Sequence, residues 1–229
     1  MNKFVSAVIL AAGKSRRMGK DKILMNICEN PAILYTLLAF ETSKYINEIV
    51  VVGTEFNKEA ILKIIKNNYI SKFKSFVIGG QTRQESTFNG VKACSVEACY
   101  FAIHDGARIL ITDEEIQKVI KKAFEKNAAV LGVPVKDTIK SADEEGRITC
   151  TPNRNNLWSA QTPQVFEKNL YLYAINKARR NNLSYTDDSQ LIENMNECVY
   201  VVEGLYSNIK LTTKDDIKVC ENVILSRKI

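Results

Sequence analysis

The chain has 229 residues, of which 45% are hydrophobic and 25% charged, enough to bury a large core in one domain. The formal net charge is +6, but the basic residues are interspersed with acidic ones and form no basic-aromatic stripe, so we expect no nucleic-acid partner. No segment has the pattern of a membrane span or a signal peptide, so we expect a cytoplasmic protein with no membrane partner. Six cysteines without a C-x-x-C pair, together with a single histidine, argue against a zinc site or a disulfide scaffold and favour reduced, mostly buried thiols.

Short runs rich in Val, Ile and aromatic residues predict strands that alternate with helices. In chain order these runs are Val5–Leu10, 48–52, 76–78, 100–103 and 129–133. Between the last two, Asp113–Lys126 has one apolar face, and Thr112 with Glu115 has the spacing of a capping box. The alternation predicts an α/β fold, with a Rossmann-like, mainly parallel sheet covered by helices on both faces.

The alternation stops at a polar stretch, residues 134–163. Extended runs at 135–140 and 147–151 flank the turn-forming residues 143–146, which predicts a projecting β-hairpin arm. An isolated hairpin is marginally stable in water, so we expect the arm to pack on a second copy of the chain in a homodimer. A strand at 164–166, a helix near 167–180, a strand at 199–203 and a closing helix after Thr213 follow. We therefore predict one domain, 1–229, with a β-arm insertion at about 135–158.

The first predicted strand ends in small residues and a cluster of cations. Gly13-Lys14-Ser15 is not a Walker loop, because Val8 stands where that motif needs its first glycine, and no dinucleotide fingerprint follows the strand. Small residues let the backbone approach a ligand closely, and cations such as Arg17 and Lys22 can sit beside phosphates. This loop therefore predicts a polyphosphate site.

Other candidate residues follow the carboxyl ends of the predicted strands, where ligands bind in open α/β sheets. These segments are 11–22, 79–86, 104–108 and the loop after Pro134. Gly80 and Ser86 stand at a glycine turn that enters a helix, which is suited to a base and ribose pocket. Asp105 ends a buried strand and can meet a sugar hydroxyl or a metal, whereas His104 is interpreted as a structural hydrogen-bonding residue.

The opening pattern, Leu-Ala-Ala-Gly-x-x-x-Arg-Met-Gly followed by a lysine, resembles the start of sugar-nucleotide, cytidylyl- and guanylyltransferases, and alone it fits equally the enzymes that attach CMP or GMP to molybdopterin. Runs at 104–108, 135–140, 154–166, 185–188 and 203–213 narrow this choice. Together they resemble the 2-C-methyl-D-erythritol 4-phosphate cytidylyltransferases of non-mevalonate isoprenoid biosynthesis. The resemblance extends from Val5 to the last helix.

The resemblance implies that CTP and 2-C-methyl-D-erythritol 4-phosphate react to give the diphosphocytidyl product and pyrophosphate. It implies Mg²⁺ held mainly through the CTP phosphates, with no dedicated protein metal ligands. The residues it implies as catalytic are Arg17, Lys22, Arg154 and Lys210. Those implied to bind the nucleotide are Ala11, Ala12, Gly13, Gly80, Arg83, Ser86 and Asp105. Those implied to bind the acceptor are Asp105, Arg108, Thr138, Arg154, Thr162, Thr186 and Lys210. Because Thr138 and Arg154 lie on the arm, they are implied to serve the neighbouring subunit's site.

The chain departs from common family patterns at Ser15, Ile23, Gln81 and Ile109, and none of these changes removes an implied charge. Two alternatives stay open. Ribitol 5-phosphate cytidylyltransferases share the chemistry but tend to lack the Arg-x-x-Leu-Trp stretch seen at 154–158. A non-catalytic nucleotide-binding protein of the same fold would have no need for all four implied catalytic cations.

Overall fold

The computed structural model describes residues 3–13 and 21–227. The predicted cation Arg17 therefore lies outside the described residues. Among the helices of these two ranges, none combines the length and the apolar character needed to cross a bilayer.

Strands and helices alternate through most of the chain, as the sequence predicts. The strands are β1 (Val5–Leu10), β2 (Asn26–Ile27), β3 (Asn30–Pro31), β4 (Glu48–Gly53), β5 (Phe73–Ile78), β6 (Tyr100–Asp105), β7 (Ala128–Pro134), β8 (Ser141–Ala142), β9 (Ile148–Cys150), β10 (Trp158–Glu167) and β11 (Tyr200–Glu203). The helices are α1 (Ala32–Thr42), α2 (Glu55–Asn67), α3 (Arg83–Lys92), α4 (Asp113–Lys126), α5 (Lys168–Arg180), α6 (Ser189–Glu193) and α7 (Asp215–Ser226), with a 3₁₀ turn at Arg154–Asn156.

A seven-stranded sheet forms the centre of the molecule in the order β11-β7-β10-β6-β1-β4-β5. β10 runs antiparallel to both of its neighbours, and the other pairings in this sheet are parallel. Alternate residues of β1 pack on opposite faces: Ala7 and Ile9 join one buried apolar cluster and Val8 joins the other. In the central parallel strands β1, β4, β6 and β7 both faces are buried, so these strands read as near-continuous apolar runs, which agrees with the predicted α/β class.

Three helices begin with reciprocal capping boxes. Thr112 and Glu115 cap α4 as predicted, and Thr82 with Glu85 caps α3 in the same way. At α2 the partner of Thr54 is an asparagine, Asn57. Each box satisfies backbone N–H groups that a first helical turn leaves without partners, so the helix starts are fixed close to the strand ends that precede them.

The predicted arm is partly wrong in its details. Residues 135–140 form no strand, and Ser141–Ala142 pairs with Ile148–Cys150 instead. The turn between them is closed by two backbone hydrogen bonds: the Asp143 N–H donates to Arg147 O, and the Gly146 N–H donates to Asp143 O. Gly146 has a φ of 84°, which a glycine adopts without strain. The strand predicted at 164–166 begins much earlier, at Trp158, which is opposite Pro134 of β7 in the central sheet. Residues 135–157 therefore form the excursion from the sheet.

The cysteine prediction is wrong in one respect. All six thiols are free, but Cys99, Cys150 and Cys198 are exposed rather than buried. They fall on turns or short outer segments, where apolar burial gives no reason to enclose them.

Candidate active site

A cleft of about 400 Å³ opens where β1, β5 and β6 end. Many of the residues predicted to bind nucleotide or phosphates line it together: Ala11, Ala12, Gly13, Lys22, Gly80, Arg83, Ser86, Asp105 and Lys210. They come from four separate segments of the chain. The carboxyl ends of parallel strands meet at one edge of the sheet, and that topology brings the segments together.

Small residues form the wall of the cleft where β1 meets β5. The backbone N–H of Ala11 donates to Val52 O at 2.6 Å, which continues the β1–β4 pairing beyond the end of β1. A Cβ on Gly79 would lie 2.6 Å from the Ala12 Cβ and 2.8 Å from Ser86 Oγ. Only a glycine allows the two segments to approach this closely, so the wall stays thin and leaves room for a ligand.

The turn into α3 forms a second wall. Ser86 Oγ accepts from the Gly80 N–H at 3.0 Å and donates to Thr82 O at 2.9 Å, so its proton is used within the turn. A hydroxyl oxygen accepts two hydrogen bonds, and Ser86 therefore keeps capacity for an outside donor. The Glu85 carboxylate accepts from the Gln81 N–H at 2.6 Å and fixes the same turn.

Asp105 links two cations at the floor of the cleft. Its Oδ2 lies 2.7 Å from Lys210 Nζ, and its Oδ1 lies 3.4 Å from Arg83 Nε. Burial alone would raise the pKa of Asp105, but Arg83 and Lys210 together hold that pKa well below its usual range. The carboxylate is therefore charged at any physiological pH.

Arg83 is held from behind by Asp188, at the start of α6. Arg83 Nη1 lies 2.5 Å from Asp188 Oδ2, and Tyr171 OH donates to Asp188 Oδ1 at 2.6 Å. Tyr171 and Asp188 are buried, whereas the Arg83 side chain keeps 28% of its surface exposed. Burial opposes the charge of Arg83, but the carboxylates of Asp188 and Asp105 outweigh it and raise the pKa of Arg83 above its ordinary value. The guanidinium is thus a fixed positive charge at the cleft.

His104 and Thr162 lie beneath the cleft rather than on its surface. His104 Nε2 is 3.2 Å from Arg108 O, which can only accept, so this nitrogen carries the proton and donates. His104 Nδ1 then accepts from Thr162 Oγ1 at 2.9 Å, and Thr162 Oγ1 accepts from the Asp105 N–H at 3.1 Å. Burial lowers the pKa of His104 to about 3. The hydroxyl of Thr162, a predicted acceptor-binding residue, is therefore enclosed between the neutral His104 imidazole and the Asp105 backbone N–H.

The other residues predicted to bind the acceptor do not line this cleft. Arg108 donates to Asn208 O at 2.8 Å and to Ala160 O at 3.3 Å, and burial lowers its pKa. Arg154 is exposed on the arm, where it donates to Lys136 O at 3.0 Å, and Thr138 is exposed on the same excursion. Thr186 is exposed and donates to Gln190 Oε1 at 3.2 Å. Within this chain, the cleft gathers the residues predicted for the nucleotide better than those predicted for the acceptor.

Sequence reasoning missed Asp188 and Tyr171. Asp188 stands in the Thr-Asp-Asp stretch at 186–188, in which the resemblance implies a role only for Thr186. Sequence spacing contains no information about an ion pair between residues 83 and 188. An acidic residue followed by the apolar pair Leu191 and Ile192 was the available signal for a buried carboxylate at a helix start.

Comparison with known proteins agrees with this architecture. The family model for 2-C-methyl-D-erythritol 4-phosphate cytidylyltransferase matches residues 5–227. The chain belongs to this family. A cytidylyltransferase of that name from Caldanaerobacter subterraneus is 46% identical over 223 residues, which cover 95% of this chain and 97% of the relative. One from Alkaliphilus oremlandii is 40% identical, with 97% of this chain and 96% of the relative covered.

The fold agrees with that of a solved cytidylyltransferase structure. The crystal structure of 4-diphosphocytidyl-2C-methyl-D-erythritol synthase from Anaerococcus prevotii matches with a TM-score of 0.89 at 32% identity, covering 98% of this chain and all of that one. Membership of the cytidylyltransferase family makes this chain a nucleotidyltransferase of isoprenoid biosynthesis, and it confirms the resemblance found in the sequence.

Proposed function

We propose that the cleft at the ends of β1, β5 and β6 is where this cytidylyltransferase binds CTP and where the phosphate of 2-C-methyl-D-erythritol 4-phosphate attacks it. The observation that carries the proposal is the convergence of Lys22, Arg83 and Lys210 on one cleft, in which Asp105 pairs with the last two of these cations. Both substrates carry several negative charges, and cations held in a cleft stabilise negative charge that moves during the reaction.

The reaction needs positioning more than covalent participation by the protein. A phosphate oxygen of the acceptor forms a bond to the α-phosphorus of CTP, and the bond from that phosphorus to the bridging oxygen breaks, releasing pyrophosphate. Lys22 and Arg17 are proposed to stabilise the charge that builds on the triphosphate in the transition state. An enzyme of this kind accelerates the step by holding two anions in line and offsetting their repulsion.

The nucleotide is proposed to lie between the β1 end and the α3 turn. Ala11, Ala12 and Gly13 offer backbone that a ligand can approach closely. Ser86 Oγ, whose proton is used by Thr82 O, can accept from a donor such as the exocyclic amino group of cytosine. This arrangement favours a base that presents an amino group, and between the two pyrimidine nucleotides it favours CTP over UTP.

The acceptor phosphate is proposed to meet Lys210, which the Asp105 carboxylate holds in the cleft. Arg108, Thr138, Arg154, Thr162 and Thr186 complete the acceptor site in the sequence prediction. Of these, Thr138 and Arg154 lie on the exposed arm and are proposed to reach the cleft of a second subunit. A homodimer joined through the arm supplies the missing acceptor contacts and a packing surface for the hairpin.

The donor set fits Mg²⁺ that is bound mainly through substrate phosphates. Asp105 is the only carboxylate among the described residues lining the cleft, and no cluster of three or more His, Cys, Asp or Glu side chains suits a metal within the described ranges. Mg²⁺ commonly uses one or two carboxylates together with phosphates and waters. When bound, it would neutralise phosphate charge beside Asp105, while the cations of the chain hold the two substrates. Catalysis in the cytoplasm, without membrane or nucleic-acid partners, belongs to the same proposal.

The test is acceptor-dependent release of pyrophosphate from CTP. We expect pyrophosphate only when CTP, 2-C-methyl-D-erythritol 4-phosphate and Mg²⁺ are all present, and a product whose two coupled ³¹P resonances identify a diphosphate diester. Substituting ATP or GTP for CTP tests the nucleotide. Pyrophosphate release that does not depend on the acceptor would indicate hydrolysis of CTP and would contradict the proposal. Binding of CTP without turnover would also contradict it and would favour a non-catalytic nucleotide-binding protein.

A further inference from the structure

One buried amide side chain joins the two ends of the segment that carries the predicted catalytic cation Arg17. Asn57, on the first turn of α2, donates through Nδ2 to Ala11 O at 3.0 Å and to Asp21 Oδ2 at 2.9 Å. Ala11 directly follows the β1 strand, and Asp21 directly precedes Lys22. Both N–H bonds of one amide are therefore used to tie together the entry and exit of this segment.

The amide is fully enclosed and fully satisfied. Asn57 is 1% exposed, and its Oδ1 accepts from the Thr54 N–H at 2.8 Å. Gly53 provides the space, because a Cβ there would lie 2.6 Å from Asn57 Oδ1 and 2.3 Å from Phe76 Cζ. A buried amide whose oxygen and both N–H groups have partners can adopt one orientation only, so it holds its partners rigidly.

Helix capping alone does not account for this residue. The capping box at Thr54 uses the backbone N–H and the Oδ1 atom of Asn57, and it makes no use of Nδ2. A carboxylate at position 57 would complete the same box, since the box needs only an acceptor at this point. The nitrogen is required by Ala11 and Asp21, which belong to the cleft side of the structure.

The hold on Asp21 extends to the residues that follow it. Asp21 Oδ1 accepts from the Ile23 N–H at 3.3 Å, and its backbone oxygen accepts from the Leu24 N–H at 3.1 Å. Ile23 is 3% exposed and packs in the larger apolar cluster. The residue before Lys22 is thus held through its carboxylate, and the residue after it is buried in the core, so the Lys22 backbone is fixed at the cleft.

We propose that Asn57 is a positioning residue for nucleotidyl transfer, which sets the location of Lys22 by bridging Ala11 and Asp21. The inference rests on the proposed role of Lys22 at the triphosphate. Asn57 itself touches no substrate. Because a shift of about 1 Å in a charge-stabilising group costs roughly a hundredfold in rate, a bridge of this kind affects the transition state far from its own atoms.

The deciding variant is Asn57→Asp, which keeps Oδ1 for the capping box but removes both donated hydrogen bonds and places a second carboxylate against Asp21. We expect kcat to fall at least tenfold while KM for the acceptor, which depends on Lys210, stays within about twofold. The matched control is Thr54→Ala, which removes the hydrogen bond that the Asn57 backbone N–H donates to the cap but leaves all the bonds of the Asn57 side-chain amide in place. It should lower the melting temperature and leave kcat of the folded protein near wild type.

A compensating exchange separates the bridge from general destabilisation. In the double variant Asn57→Asp with Asp21→Asn, the amide is moved to position 21 and can donate to the new carboxylate at position 57. We expect the double variant to recover at least a third of the decrease in log kcat. Recovery should stay incomplete, because the hydrogen bond from position 57 to Ala11 O is still missing. A wild-type kcat in Asn57→Asp, an equal loss in Thr54→Ala, or no recovery in the double variant would each overturn the inference.

The two proposals fail in different ways. Absence of acceptor-dependent pyrophosphate release from the wild-type protein would count against the proposed function before any variant is compared. A working wild-type enzyme whose Asn57→Asp variant is unchanged would remove the positioning role alone.

Discussion

Lys210 Nζ lies 2.7 Å from Asp105 Oδ2 at the floor of the cleft, so the ammonium is held in place before any substrate arrives. The Lys210 side chain keeps 40% of its surface exposed, which leaves part of the ammonium turned toward the cleft. An incoming phosphate can therefore share this cation with the carboxylate. Since Asp105 is also paired with Arg83, one buried carboxylate orients the cations proposed for the acceptor and for the nucleotide.

Replacing Lys210 should weaken the acceptor site more than the nucleotide site. For Lys210→Ala we expect kcat/KM for the acceptor to fall about a hundredfold, as for loss of one charge-stabilising donor, with KM for CTP changed far less. Steady-state kinetics with each substrate varied in turn measures this. Lys214→Ala, at an exposed lysine four positions away, is the matched control and should behave as wild type. Equal losses for the two substrates would argue against an acceptor-specific role.

Lys22→Ala should act on the transition state rather than on binding. We expect kcat and kcat/KM to fall together by roughly two to three orders of magnitude, because the charge that Lys22 offsets appears as pyrophosphate departs. The control is Lys63→Ala, an exposed lysine on α2. A variant at position 22 that turns over at a near-wild-type rate would remove Lys22 from the catalytic residues.

Asp188→Asn should loosen Arg83 and destabilise the fold. The change leaves a partly buried guanidinium facing an amide, and breaking such a pair costs about 3 kcal/mol in the free energy of unfolding. We expect KM for CTP to rise about tenfold, which corresponds to about 1.4 kcal/mol of lost binding.

Tyr171→Phe is the companion variant for Asp188. This variant removes one hydrogen bond to the Asp188 carboxylate but keeps the charge of that carboxylate. The free energy of unfolding should fall by about 1 kcal/mol, and KM for CTP should stay nearly unchanged. Urea unfolding and CTP titrations of both variants test the pair. Similar KM values for CTP in the two variants would contradict an orienting role for the Asp188 charge.

Because of His104, the free energy of unfolding should increase as the pH rises. The chain has one histidine, and its pKa is lowered from 6.5 to about 3 in the folded state. Between these two values the unfolded chain binds a proton that the folded chain does not, so the free energy of unfolding increases with pH by up to about 1.4 kcal/mol per unit. Glu41 and Glu48 also have lowered pKa values, but between about pH 5.5 and 6.5 both are almost fully ionised in the unfolded chain as well, so in this range the slope belongs mainly to His104.

Two measurements check this pH dependence. NMR of the single imidazole should show no protonation in the folded protein down to pH 5, with the proton on Nε2. Urea unfolding should show the slope in wild type and a flatter profile in His104→Gln. An imidazole that titrates near pH 6.5 in the folded protein would show that the side chain is not enclosed with Thr162 as described.

Mixing two inactive variants tests the shared site. If Arg154 serves the partner's cleft, a heterodimer of Arg154→Ala and Lys22→Ala subunits contains one intact site and one doubly damaged site. Random reassociation of equal amounts should then restore about one quarter of wild-type activity, because about half of the dimers are mixed and each has one working site of two. Activity that stays at the level of the separate variants would place Arg154 in its own subunit's site.

Much of the fold follows from local patterns in the sequence. The capping pair Thr112 and Glu115 and the apolar face of Asp113–Lys126 define α4 without reference to the rest of the chain. The apolar run of β1 and the polar residues after it place the cleft, since the strand end determines where ligands bind. Periodicity and capping are properties of neighbouring residues, and the predicted strand β1 and helix α4 are confirmed.

The long-range pairings could not be predicted in this way. The early start of β10 at Trp158 depends on pairing with Pro134, across the whole arm, and the stretch between them is mostly polar. The Asp188 contact joins residues more than a hundred positions apart. The Asn57 amide has the same character, because its partners at Ala11 and Asp21 are brought to it by sheet topology rather than by spacing.

The most direct test of the account compares two acceptors in one assay. Pyrophosphate release from CTP is measured side by side with 2-C-methyl-D-erythritol 4-phosphate and with ribitol 5-phosphate, under identical Mg²⁺ and enzyme concentrations. We predict efficient turnover with the methylerythritol phosphate and a kcat/KM at least a hundredfold lower with ribitol 5-phosphate. A preference for ribitol 5-phosphate, or equal use of the two acceptors, would contradict the assignment.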